Sequence, residues 1–231
     1  MILSIITVSR YYDEELFKTI KSVDNNFSSF IAKYEVDHII VCSEKAEYAN
    51  NDNRKYIYTP PKGIYNAMNI GLHCAIGEWV WFLNAGDECM EGIGAKLLQI
   101  MKLCNHNEII IKAGVESIRK NNIKIMFGKI VSPHQGTFYR KKELKNIRGY
   151  REDYKIISDW IVFESFLSRK AKMLQTDLIV ARFYENGISS TKEGKWLICK
   201  ESFKCAMEHP TRIFRWYRHF KSIYNYIKNQ K

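Results

Sequence analysis

The chain has 231 residues, 46% of them hydrophobic, enough for one sizeable α/β core and too few for two independent ones. Its formal charge of +11 implies an anionic partner, whether nucleotide phosphate, nucleic acid or a membrane surface. No apolar stretch approaches the about 18 residues of a spanning helix, and the run Arg10 to Glu15 interrupts the apolar N-terminus before a secretory core forms, so a cytoplasmic location is expected.

Residues 2–8 are continuously apolar and β-branched, the pattern of a strand buried on both faces. Glu14 to Phe27 then carries Leu16, Ile20 and Val23 at helical spacing. His38 to Cys42 is a second buried strand, a polar stretch runs to Arg54, and Tyr56-Ile57-Tyr58 is a short third strand. Pro60-Pro61-Lys62-Gly63 makes a rigid turn into a helix from Ile64 to Ala75, which Gly77 closes. Trp79 to Leu83 is the next buried strand, ending in the polar turn Asn84-Ala85-Gly86-Asp87-Glu88. A helix over 91–103, a strand over 108–113 and a hairpin at Asn121-Asn122, returning through Ile123 to Phe127, complete the alternation. Strands alternating with helices predict a mostly parallel sheet covered on both faces, with ligands outside the carboxyl ends of its strands.

His209 to Lys231 differs in kind. It holds six Lys/Arg, no acids, and the aromatics Phe214, Trp216, Tyr217, Phe220, Tyr224 and Tyr226, so it carries more than half of the net charge. A basic helix with an aromatic stripe suits the headgroup region of an anionic membrane; the same stripe would equally serve a helix packed on the domain. The six cysteines, Cys42, Cys74, Cys89, Cys104, Cys199 and Cys205, show neither C-x-x-C nor zinc-site spacing and read as reduced thiols.

The densest motif is Gly63-Ile64-Tyr65-Asn66-Ala67-Met68-Asn69-Ile70-Gly71, followed by Ala75-Ile76-Gly77-Glu78, strand 79–83 and Asn84-Ala85-Gly86-Asp87. A second block comprises Pro133-His134-Gln135-Gly136-Thr137-Phe138-Tyr139-Arg140, then Ser158-Asp159-Trp160, then Gly187-Ile188-Ser189-Ser190. In this order the motifs resemble the family 2 glycosyltransferases of the GT-A fold, in particular a short bacterial branch of colanic acid, capsule and lipopolysaccharide synthesis. The resemblance spans residues 2 to about 190 and leaves the tail outside. The fold class expected is α/β: a GT-A, Rossmann-like, mostly parallel central sheet flanked by helices, with the small antiparallel hairpin and the basic helical tail added. Residues 1–195 would form the transferase domain and 196–231 the tail.

The resemblance implies an inverting, metal-dependent transfer from a nucleoside-diphosphate sugar, a UDP-sugar first, to a glycan acceptor that the tail suggests is lipid-linked at the inner face of the cytoplasmic membrane. Such a transfer must neutralise a departing diphosphate, and a carboxylate fixed at a strand end can hold Mn²⁺ or Mg²⁺ against phosphate oxygens. Asp87 takes that role. Many relatives carry two aspartates in this turn; here Asn84 and Gly86 stand beside Asp87, and Asn84 could ligate by its carbonyl or through water. An aspartate in a Gly-containing turn also commonly bonds its own backbone.

Transfer needs a base at the acceptor hydroxyl. Asp159 occupies the family's base position, although an aspartate ahead of the apolar run Trp160 to Leu167 would also serve as an N-terminal helix carboxylate. Glu152 and Asp153 are second choices. The donor is expected over the first strand's end, at Thr7, Ser9 and Arg10, with Lys62, Gly63, Asn66 and Asn69 approaching from the next helix. The base-reading aspartate of many relatives is replaced by Val41-Cys42-Ser43-Glu44, which leaves Glu44 or backbone atoms for that task. His134 and Gln135 belong to the floor of the acceptor side, and Glu185, Asn186, Ser189 and Ser190 to a loop over the site. Two other readings compete: a non-catalytic sugar-nucleotide binder, prompted by the missing second aspartate, and a nucleic-acid binder, prompted by charge and aromatics. The latter is disfavoured because the charge sits in one terminal segment and no helix-turn-helix, zinc-finger or RNP signature is present.

Overall fold

A computed structural model describes residues 1–45, 54–105, 107–119, 122–128 and 133–208, together with Phe220, Lys221 and Tyr224. The element order is β1 (Leu3–Ser9), α1 (Glu14–Ala32), β2 (Val36–Cys42), β3 (Arg54–Tyr58), α2 (Ile64–Cys74), β4 (Trp79–Phe82), β5 (Glu88–Cys89), α3 (Gly94–Leu103), β6 (Glu108–Arg119), β7 (Asn122–Phe127), β8 (Thr137–Arg140), α4 (Lys141–Asn146), α5 (Ser158–Ser168), β9 (Lys172–Tyr184) and α6 (Lys192–Glu208). The tail helix expected over 209–231 lies outside the described residues but for those three, as does Asn121 of the hairpin turn.

The sheet runs β3-β2-β1-β4-β8-β6-β9-β5, with β7 paired to β6. β3, β2, β1 and β4 are mutually parallel, as are β6 and β9; β8 enters antiparallel between β4 and β6 and joins the two halves. The α/β layering is therefore as expected, with β8 and β9 added where the sequence reading had placed no strand. The fifth predicted strand ends at 113, whereas in the structure this strand, β6, continues to Arg119, and the two-residue β5 precedes it.

Alternation along β1 and β4 builds two cores. Leu3 and Ile5 pack with Trp79, Trp81 and Leu83 under α1 and α3. Ile6 and Val8 pack with Val80 and Phe82 under α2 and α5. Both strands are buried on both faces, which explains why they read as unbroken apolar runs. Asp13 starts α1 by accepting from the Leu16 N–H at 3.2 Å, and Glu14 and Glu15 complement the helix dipole.

Gly63 precedes α2 at φ +107°, a conformation that L side chains rarely adopt. Its place in the motif is thus a backbone requirement. Gly77 serves close approach instead. A Cβ there would lie 2.5 Å from the Ser4 nitrogen and 2.6 Å from the Leu3 carbonyl carbon, and its N–H donates to Ser4 Oγ at 2.8 Å. Ser4 Oγ in turn donates to buried Asp37 at 2.6 Å.

The boundary expected at 195/196 falls inside α6. Cys205 of this helix packs with Tyr154, Ile157, Trp160 and Ile161, so at least this part of the C-terminal segment belongs to the domain core. None of the six cysteines forms a disulfide. No described helix is long and apolar enough to cross a membrane.

Gly77→Ala should overpack the α2–β1 junction and cost about 2 kcal/mol, lowering the melting temperature by about 4–8 °C for a chain of this size. A differential scanning calorimetry trace unchanged from the parent would show that β1 yields freely there.

Candidate active site

Between β1 and β4 the connectivity reverses: the chain leaves β1 toward β2 and β3, then returns to the other side of β1 as β4. Such a switch point opens a crevice at the carboxyl ends of the strands. A cleft of about 1120 Å³ occupies it, lined by Ser9 and Arg10 at the end of β1, Asn84 to Asp87 after β4, Pro133 to Gln135 before β8, Asp159 on α5 and Phe183 to Ser190 from the end of β9 onward. Because β8 runs antiparallel to β4, its N-terminal end lies beside the carboxyl end of β4. That pairing brings the two sequence motifs together.

The floor is rigid. Asp87 is 7% exposed, and its Oδ2 accepts from Gln135 Nε2 at 2.9 Å. The Gln135 carbonyl accepts from the Trp81 indole N–H at 2.7 Å. Gly86 turns the chain at φ +91°. The Thr19 hydroxyl of α1 donates to the Asp87 carbonyl at 2.7 Å and accepts from the Gly86 N–H at 3.0 Å, stitching the turn to the helix. Burial pushes the Asp87 carboxyl up to about 6, against the Gln135 hydrogen bond, which acts to lower it.

The wall opposite carries Asp159 in the first turn of α5. Its Oδ1 accepts from the Trp160 N–H at 2.7 Å and lies 3.3 Å from Tyr65 Oη, while Oδ2 faces His134 Nδ1 at 3.7 Å. The other nitrogen of His134, Nε2, lies 3.0 Å from Asn84 Nδ2. With the Asn84 amide donating to Nε2, the ring proton sits on Nδ1 and points at Asp159, so one histidine spans the floor and the wall. Asn84 Oδ1 is then left buried without a hydrogen-bond partner. Arg10, Lys18, Arg119, Lys155 and Lys195 also line the cleft, among the carboxylates of Asp13, Glu15, Asp87, Asp159 and Glu185, so cations that could meet an anionic ligand stand beside acids that could hold a metal. Lys18 is fixed by Glu88 at 3.1 Å and sits over the Tyr184 ring at 3.7 Å.

Residues 4–172 match the family described as glycosyl transferase family 2. The chain belongs to that family. As a family 2 glycosyltransferase it is 25% identical over 213 residues to an uncharacterized glycosyltransferase of Mycobacterium tuberculosis, covering 82% of this chain and 78% of the relative. It is 26% identical over 141 residues to a PGL/p-HBAD biosynthesis glycosyltransferase of Mycobacterium bovis, covering 56% of this chain and 54% of that one. Among solved structures, Staphylococcus aureus TarS 1-349 in complex with UDP-GlcNAc superimposes with a TM-score of 0.65 at 14% identity, over 89% of this chain and 67% of TarS. That likeness establishes the GT-A arrangement of the sheet. For the TarS 1-349 structure without a named ligand, the chain spans 66% of its length.

Within this glycosyltransferase the expected donor residues separate. Ser9 and Arg10 reach the cleft; Ser9 Oγ donates to the Tyr11 carbonyl at 2.6 Å and Arg10 stacks on the Tyr11 ring at 5.3 Å. Thr7 does not. It is fully buried, its hydroxyl 2.9 Å from His38 Nε2 inside the sheet, because it points to the same face as Leu3 and Ile5. Lys62 and Gly63 lie outside the lining residues, and so do Asn66 and Asn69. The two asparagines instead tie α2 to the segment before α5: both amides donate to Glu152 at 2.8 Å, and Asn69 accepts from the Tyr150 N–H at 2.9 Å.

The alternative bases are engaged elsewhere. Glu152 is held by that pair, and Asp153, paired with Arg151 and Lys204, is drawn down to about 2. Glu44 accepts from the Tyr12 N–H at 2.8 Å and is absent from the lining. Glu185, Asn186, Ser189 and Ser190 do reach it. Sequence reading missed Thr19, Lys18 and Tyr65. Thr19 alone left a signal: a hydroxyl on the otherwise apolar face of α1, between Leu16 and Val23, is a polar group that must find a buried partner.

Among the described residues no three His, Cys, Asp or Glu side chains form a metal cage. The donor set is one buried carboxylate and the orphaned Asn84 Oδ1, both hard oxygens. It suits Mg²⁺ or Mn²⁺, which hold few protein ligands and complete their shell with phosphate oxygens and water.

Asp87 binds its proton more tightly in the folded protein, at about 6, than at its ordinary 3.8, so this stabilisation is full below the ordinary value and lost as pH rises through about 6. In chelator-treated protein, Asp87→Asn should therefore exceed the parent in stability at about pH 7.5, by on the order of 1–3 kcal/mol. The gap should close toward about pH 4 in urea titrations; a variant less stable at neutral pH would contradict the burial argument.

Proposed function

We propose that the chain is an inverting, metal-dependent glycosyltransferase that moves a sugar from a nucleoside-diphosphate sugar, a UDP-sugar first, to a lipid-linked glycan acceptor of cell-surface polysaccharide synthesis. One observation carries the reading: a buried carboxylate beside an orphaned oxygen, Asp87 and Asn84, faces a second, 33% exposed carboxylate, Asp159, across a single histidine in one cleft. Two carboxylates in contrasting environments can hold different roles.

A divalent ion held by Asp87 and Asn84 would supply charge neutralisation to the departing diphosphate when bound. The protein does the rest. Arg10 and Lys18, on the side of β1 and α1, offer charge to the donor phosphates. Asp159 Oδ2 takes the proton of the acceptor hydroxyl as its oxygen attacks the anomeric carbon from the face opposite the leaving group; the new carbon–oxygen bond forms while the bond to the diphosphate breaks. The Trp160 N–H orients the Asp159 carboxylate, and His134, fixed at Asn84, stands 3.7 Å from its free oxygen. Gln135 keeps Asp87 turned into the cleft.

UDP donors head the tests because TarS, of the same fold, crystallised in complex with UDP and with UDP-GlcNAc. The acceptor side is read from Lys155 and Lys195, which line the cleft beside Ile156, Ile188 and Ile198, a combination suited to a phosphate on an apolar carrier. The basic aromatic segment 209–231 supports the inner membrane surface as the place where such a carrier is met.

A thermal-shift screen of UDP-, GDP-, ADP- and dTDP-sugars with and without Mn²⁺ should show a metal-dependent rise for one nucleotide class. Asp87→Ala should abolish the metal-dependent part. Asp159→Asn should keep the shift and lower nucleotide release about 10²–10⁴-fold. Full turnover in Asp159→Asn would remove it as the base, and no shift with any donor would favour a non-catalytic protein.

A further inference from the structure

The carboxylate of Glu201, on α6, is 6% exposed, and no arginine or lysine pairs with it among the ion pairs of the described residues. It accepts from three successive backbone N–H groups instead: Lys155 at 2.6 Å, Ile156 at 3.0 Å and Ile157 at 3.2 Å. Those residues lead directly into α5, whose second residue is Asp159. Consecutive N–H groups converging on one point form a nest for an anion, and here the anion is the protein's own side chain.

The peptide at Ile156 is gripped from both ends. Glu201 holds its N–H, and the Tyr65 hydroxyl donates to its carbonyl. The same Tyr65 oxygen lies 3.3 Å from Asp159 Oδ1. Ile157 and Trp160 pack with Cys205 of α6, so the helix that carries Glu201 also braces the first turn of α5. Lys204 to Asp153 at 2.6 Å adds an exposed pair of small weight.

We infer that Glu201 is a positioning residue for transfer: it fixes segment 155–157 so that Asp159 and the Lys155 side chain meet the acceptor at the right place. This rests on the reading of Asp159 as the base. A carboxylate is required because it only accepts. An amide of the same size would turn an NH₂ group against at least one of three donors and open the nest. Since a misplacement of about 1 Å can cost about 10²-fold in rate, the clamp acts on turnover and not on donor binding, which lies on the β1 and β4 side of the cleft. It also assigns a catalytic duty to a helix beyond residues 4–172, the stretch matched by the family.

The test compares Glu201→Gln with the parent, alone and combined with Asp159→Asn. Readouts are nucleotide release from whichever nucleotide-sugar gives the metal-dependent thermal shift, that shift itself, and amide hydrogen exchange across 151–160. Expected are faster exchange at 155–157, a donor shift equal to the parent's, and a loss of about 10–100-fold in release that falls to within about twofold once Asp159 is already Asn. A purely structural role would cost the same in both backgrounds, and that additivity would overturn the inference. Release within about twofold of the parent in the single variant would overturn it as well. If the parent itself releases no nucleotide from any donor, the transferase reading fails first, and unchanged exchange at 155–157 would then refute the clamp on its own.

Discussion

Burying a carboxylate at the end of a strand is costly unless its surroundings are organised in advance, and much of the cleft is built around that demand. Asp87 is shielded by the walls of the crevice, with Gln135 as its side-chain donor and Thr19 holding the turn beneath it. Gln135 is in turn anchored through Trp81 to β4, and Gly136 presses so close to β6 that a Cβ would lie 2.6 Å from the Ala113 carbonyl oxygen. Each of these contacts is stabilising in itself, yet together they leave one acid raised to about 6 and one amide oxygen without a partner. Such unresolved polarity in an otherwise satisfied site points to a ligand.

Asp159 is held by a different logic. It is tied down at Oδ1 by its own helix start and left accessible at Oδ2, toward His134. The floor of the cleft comes from sheet residues with both faces buried, and this wall comes from a helix end supported by α2 and α6. The two carboxylates therefore rest on separate supports: Asp87 on β1, β4 and β8, Asp159 on α5 and the segments clamped around it. His134 is the side chain that touches both.

The family match ends at residue 172, but the sheet does not. β9 pairs with β6 over nearly its whole length, and its carboxyl end delivers Tyr184 to Ser190 to the cleft. α6 then closes back on the start of α5. The region beyond the family match thus completes one wall of the cleft.

The sequence by itself determined the parallel core and the place of the acidic turn at the end of one of its strands. The mostly apolar, short, β-branched runs at β1, β2 and β4 read as strands buried on both faces, and the acidic turn after Leu83 then falls at a strand's carboxyl end. These are local signals, carried by neighbours in the chain. The tertiary structure alone decided the rest. Thr7 and Ser9 sit two residues apart with the same kind of hydroxyl, and only the pairing of β1 with β2 puts the first against His38 while the second, the last residue of the strand, reaches the cleft. Asn66 and Asn69 have the same amides whether they face a ligand or Glu152; what chose Glu152 was the return of the chain 83–86 residues later. β8 and β9 were illegible because their partners are distant and their own periodicity is weak, and Glu201 was illegible because a carboxylate that serves three backbone N–H groups looks, in sequence, like any charge on a helix.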